Sequence, residues 1–148
     1  MPRSLWSESD RQQLLARLDR LRPDTRPLWG SMNAMQMITH LTDWMRMATG
    51  ELESVPLQRV MRYPVIKQLI IYWMPWPKGV PTAPELLARN ATGWEEERAD
   101  FSRRLSAFGE LKSTARWPVH PAFGNISTNG WGVLGYRHTD HHLRQFGV

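Results

Sequence analysis

Apolar residues return every three or four positions in four stretches of this chain, and strict alternation is absent throughout. That pattern predicts helices and no strands. The first helix opens at Ser7, a good N-cap, with Asp10 three residues on, where an acid favours the helix start. Leu14, Leu18 and Leu21, with Leu15 beside them, form its apolar stripe, and Pro23 is expected to end it. The second helix is expected to start at Gly30-Ser31, with Ser31 as cap. Met37, Leu41, Trp44 and Ala48 are its stripe, and Gly50 is its stop. Beside that stripe runs a polar ridge of Asn33, Gln36, His40 and Asp43. Such a ridge lies at the surface or lines a polar site, because burial without partners is costly.

Residues 51–90 break the rhythm. Pro56, Pro64, Pro75, Pro77, Pro81 and Pro84 cut them into short pieces. Val65 to Trp73 suits about two helical turns, with Pro64 tolerated in the first. Met74 to Pro81 reads as an extended crossover with aromatic anchors, and Pro84 to Ala88 as one more turn. Thr92-Gly93 precedes a third long helix from Trp94 to about Phe108, with Trp94, Phe101, Leu105 and Phe108 as its stripe. Glu95, Glu96 and Glu97 load its first turn, and Gly109 is expected to end it. Ser127 caps a fourth helix that runs to Gln145 or Phe146. Gly130, Gly132 and Gly135 inside it read as sites of close packing. The expected architecture is all-α: one domain over residues 1–148, a four-helix bundle with a long, partly helical crossover between helices two and three.

Composition narrows the chemistry. The chain has no cysteine, so disulfides are excluded and a metal site must draw on His, Asp or Glu. Eight Trp and eight Met suit helix contacts and pocket walls. The formal charge is +5, but the arginines are scattered, and no run of basic residues supports nucleic-acid binding. The longest apolar run, Val65 to Trp76, is too short and too interrupted to span a bilayer. Met1-Pro2-Arg3-Ser4 leads into a polar helix rather than an apolar leader, so a cytoplasmic protein without membrane partners is expected.

Candidate chemistry concentrates in the last helix, where three of the five histidines fall within residues 138–142. On a helix, His138 and His142 share one face with Cβ atoms about 5–6 Å apart, close enough to reach one ion. His141 points about 100° away. A third ligand must come from elsewhere. His40 on the polar ridge is the best placed, and His120 before Pro121 competes, although a structural hydrogen bond is its plainer role. Three imidazoles leave a zinc-like ion one open position, from which it activates water or holds a thiolate or carboxylate. Asp43, one turn after His40, and Gln145, near His142, are placed to orient the ligands. Read without a metal, the same histidines are satisfied core or surface residues that cap helices or pair with Asp140 or Asp43.

Gln36 to Asp43, the loop His120-Pro121-Ala122-Phe123-Gly124, Trp131-Gly132 and the run His138 to Gly147 together give the chain a family likeness. It resembles the DinB-like (DinB/YfiT) superfamily of four-helix bundles, in a bacterial branch without an agreed activity. The likeness covers nearly the whole chain, and the C-terminal motif is its specific part. It implies a three-histidine divalent metal site built from His40, His138 and His142, holding Zn, Ni, Fe or Mn, and a homodimer. Some members of the superfamily are metal-dependent transferases acting with small thiols, and others are assigned hydrolase activity. The leading expectation is therefore a metal-dependent enzyme of small-molecule metabolism, with a thiol among the candidate substrates. The alternative is a non-catalytic stress-response or binding module whose metal site is structural or vestigial.

Overall fold

A computed structural model describes residues 1–56, 60–79, 89–91, 93–113 and 116–148. The turn expected at Pro84 to Ala88, and Pro81 and Thr92, lie outside the described residues. Among those described there is no strand. The one β-bridge joins His120 to Gly124.

Four long helices carry the fold: α1 (Glu8–Leu18), α2 (Ala34–Ala48), α4 (Trp94–Ala107) and α5 (Thr128–Gln145). The short α3 (Pro64–Gln68) continues into a π-helical turn, Leu69–Trp73, as the crossover pattern predicts, with Pro64 in the first turn. The long helices pack as a closed ring in the order α1, α4, α2, α5, and the π-helical turn rests on α5. Two of the four are inner helices. Twelve of the fifteen residues of α2 are buried, and twelve of the eighteen of α5. In α1 only Leu14 and Leu18 are buried, and in α4 only Glu97, Phe101 and Leu105. No helix among the described residues is long and apolar enough to cross a membrane.

Several helix ends differ from expectation for local reasons. Helix α1 stops at Leu18, well before Pro23. Bonds from Arg20 N to Arg17 O (3.1 Å) and from Leu21 N to Leu18 O (3.0 Å) tighten its end. Leu21 thus leaves the helix and stays in the core. Helix α2 is capped by Asn33, not Ser31. The Asn33 side chain accepts from Gln36 N, and the Gln36 side chain accepts from Asn33 N, a reciprocal pair for which Ser31 is out of register. The upper half of the polar ridge is thus a helix cap. Helix α4 ends at Ala107, close to the stop expected at Gly109. The chain passes through Gly109 in a 3₁₀ stretch, Phe108–Lys112, and the missing Cβ makes room for the guanidinium of Arg11.

The close packing expected of the α5 glycines is present. Leu5 N donates to Gly132 O (2.9 Å), and a Cβ on Gly132 would strike Trp6 and Ser4. Trp6 cannot step aside easily: it donates to Thr128 O (2.9 Å) and stacks on Phe108. A Cβ on Gly135 would lie 2.5 Å from Leu5 Cδ1 and 2.9 Å from Trp44 Cη2. These contacts seat α5 deeply, and so place its histidines inside the ring of helices.

Candidate metal centre

The two inner helices bring His40, His138 and His142 together, across 98 residues of chain between the first two. Their ring centroids lie 4.8, 4.8 and 4.9 Å apart, an almost equilateral triangle, and the rings stand nearly perpendicular to one another. All three are buried, and one nitrogen of each lies within 4.8 Å of the other two. His40 Nε2 and His138 Nε2 face each other at 2.9 Å. Two imidazole lone pairs at that distance repel, so without a cation one nitrogen must carry a proton between them.

Burial in apolar surroundings works against imidazolium. It lowers His138 well below the ordinary histidine value, with the neighbouring His40 and His142 adding to the effect. It lowers His142 to about 3, again reinforced by His40 and opposed by the hydrogen bond to Gln145. Both are therefore neutral at pH 7 and keep a lone pair.

The hydrogen-bond network decides which nitrogen of His142 holds that lone pair. Gln145 Nε2 donates to Trp29 O at 2.9 Å, which turns Gln145 Oε1 toward His142 Nδ1 at 2.8 Å. An amide oxygen only accepts, so Nδ1 carries the proton and Nε2 is left as the donor atom. Gln145 thus does for His142 what its sequence position suggested. Asp43 enters an ion-pair network. Its carboxylate accepts from Arg46 (3.1 Å) and Arg89 (3.0 Å), and Arg89 reaches on to the buried Glu97 of α4 through both carboxylate oxygens. This network ties α2 to α4. It was not visible in the sequence, because Arg89 lies 46 positions from Asp43.

His120 stands outside the triangle. Its Nδ1 accepts from Ala122 N (3.1 Å) and Phe123 N (3.2 Å), the structural role expected of it. Burial lowers it to about 3. His141 is half-buried and sits 5.3 Å from the His142 ring, centroid to centroid. Trp44 and Trp76 both lie against His138, at 5.3 and 5.7 Å. Trp76, from the crossover expected to carry aromatic anchors, therefore meets the histidines. Tyr72 turns its hydroxyl toward the start of α5, near Gly130.

The donor set suits a divalent ion. Three imidazoles, two of them held neutral and one with a fixed tautomer, match the nitrogen ligands of zinc-like sites. Nitrogens about 2.0–2.1 Å from one ion stand no more than about 4 Å apart, so the widest separation would close by about one ångström. Fold and site together define an all-α protein with a buried three-histidine cluster that can hold a metal ion. Comparison with protein families, with curated proteins and with solved structures finds no match.

Proposed function

We propose that this chain is a DinB-like four-helix bundle that binds one divalent metal through His40, His138 and His142 and uses it as a hydrolase or thiol-dependent transferase of small-molecule metabolism. The observation that carries this reading is the triangle of buried imidazoles on two inner helices. A structural histidine cluster has no need of three imidazoles that each bring a nitrogen within 4.8 Å of the other two. A bound divalent ion would supply Lewis acidity to a coordinated water, thiol or carbonyl.

The protein's own residues then have separate tasks. Gln145 fixes the tautomer of His142 and holds its ring. Trp44 and Trp76 cover His138 and limit water at the site. The ligands contribute no negative charge, so the full charge of the ion remains available to an anionic group of the substrate. The likeness to DinB-like proteins also supports a homodimer.

Metal analysis of protein purified without a nickel column tests the reading. It expects close to one equivalent of a single divalent metal, lost on His138→Ala. Less than about a tenth of an equivalent, with no rebinding on titration, overturns it. The deep burial of all three histidines favours one other reading, a structural or vestigial site in a non-catalytic binding or stress-response module. In that case His138→Ala lowers the melting temperature, and metal-loaded protein turns over no thiol conjugate or ester in an activity screen.

A further inference from the structure

The histidine triangle is sealed unevenly. Toward the core it meets Trp44, which is 4% exposed. Toward the crossover and the α1–α2 connection, its neighbours are only half-buried. Trp76 lies 5.7 Å from His138 and 5.9 Å from His141, and Trp29 lies 5.8 Å from His141. Three separate segments therefore send aromatic rings to the same side of the site.

The backbone that carries each of the two indoles is pinned by hydrogen bonds. The Trp29 backbone is docked by Gln145, which donates to Trp29 O, while Leu28 N donates to Gln145 O at 2.7 Å. Gly30 allows this approach: it sits at φ +81°, and a Cβ there would lie 2.6 Å from Gln145 Nε2. Trp76 follows a segment that Arg137 clasps, donating to the carbonyls of Ile70 (2.9 Å), Ile71 (2.7 Å) and Met74.

The charge on this side is positive. The Lys78 ammonium stands 4.5 Å from the Trp29 ring centroid, and the Arg137 guanidinium 5.9 Å from that of Trp76. Arg137 spends its donors on neutral carbonyls, so its charge is not cancelled there. Asp140, the acid next to His141, is engaged by Arg17 (2.5 Å) and Arg144 (3.0 Å). Two indoles beside an imidazole would form a cage for a cation if the surroundings were neutral or acidic. Here cations already occupy that role, and they repel another.

We propose that Trp29, Trp76, His141 and Lys78 form the mouth of the histidine site and select a small organic anion that carries a flat apolar group. The anionic head is drawn by Lys78 and directed inward, and the apolar body lies against the indoles. The proposal deepens the metal reading and rests on it for the ion that the anionic head meets beyond the mouth.

Three matched probes separate the possibilities: 4-phenylbutyrate, 4-phenylbutan-1-ol and 4-phenylbutylammonium. Each is titrated calorimetrically into the full chain, zinc-loaded and metal-free. The butyrate is expected to bind about ten-fold more tightly than the alcohol, and the ammonium to bind most weakly. Trp29→Ala and Lys78→Ala should each weaken the butyrate about five-fold while leaving zinc stoichiometry and far-ultraviolet circular dichroism unchanged. Trp73→Ala, which removes an exposed indole elsewhere on the crossover, should leave all three affinities as they are. The mouth is overturned if the alcohol binds as tightly as the butyrate. It is also overturned if neither Trp29→Ala nor Lys78→Ala weakens binding, or if Trp73→Ala weakens it equally. Should the wild-type chain fail to load zinc, the metal reading falls. The dependence of butyrate binding to metal-free protein on Trp29 and Lys78 then decides the mouth alone.

Discussion

Helix α5 and the crossover are both rich in apolar and aromatic residues, yet they meet opposite fates. In α5 the large side chains return at helical spacing, and Trp131 is fully buried among Trp44, Trp117 and His120. In the crossover, prolines break the spacing, and Trp73 is 80% exposed, with Tyr63, Val65, Leu69 and Met74 exposed around it. Apolar content does not by itself place a segment in the core. A face must recur over enough turns to be covered along its length. The site draws on both kinds of segment. Its three candidate ligands sit on deeply packed helices, while Trp76 and Lys78 come from a segment pinned mainly by single side chains such as Arg137 and Lys67.

The sharpest way to break this contrast is to remove the same residue type from each region. Trp131→Ala should cost about 3–5 kcal/mol in urea unfolding, since it empties a fully packed position. A loss below about 1 kcal/mol would mean that α5 is not the packed half of the molecule. Gly135→Ala is the next largest effect. Its Cβ meets Leu5 and Trp44, and overpacking of this kind costs about 1–3 kcal/mol, more than the gain in helix propensity. A stabilised variant would show that α5 can shift in its seat.

A pH comparison probes the loop beside α5. His120 has a folded value of about 3, against an ordinary value near 6.5, because burial disfavours its charged form. Above pH 6.5 neither state binds the proton, and His120 adds no pH dependence. Below it the unfolded chain takes up a proton that the folded chain refuses, so stability falls as the pH drops toward the folded value. Between pH 7 and pH 5 this amounts to about 2 kcal/mol. His120→Asn keeps an acceptor near the Nδ1 position but does not titrate. Its loss of stability over the same interval should be smaller than the wild type's by that amount. Equal losses would mean that the ring is hydrated in the folded protein. The smallest effect belongs to the crossover: Trp73→Ser should change stability by no more than about 0.5 kcal/mol. A larger loss would show that the exposed indole is covered in solution.

The long helices and the histidine pair were legible in the sequence because both depend on short-range spacing. The stripes Met37, Leu41, Trp44, Ala48 and Phe101, Leu105, Phe108 are buried as their period requires. Ser7 and Ser127 cap α1 and α5 as their positions suggest. His138 and His142, four apart on α5, do share a face. The Asn33–Gln36 cap is equally a matter of short-range spacing, since Asn33, unlike Ser31, has a glutamine three residues on. What could not be read depends on distant partners. Asp43 stands one turn after His40, but its ion-pair partner Arg89 lies 46 positions along the chain. Trp29 belongs to no apolar stripe, and nothing near it in the chain announces Gln145, 116 positions away.

Gln145 joins two matters that are usually kept separate. One end of its amide sets where the proton sits on a candidate ligand, and the other end tethers the strand of chain that presents Trp29. A glutamate there could accept at both ends but donate at neither, and an asparagine would be a methylene short of spanning them. Whatever pushes on that indole from outside therefore tugs, through a single side chain, on the imidazole within.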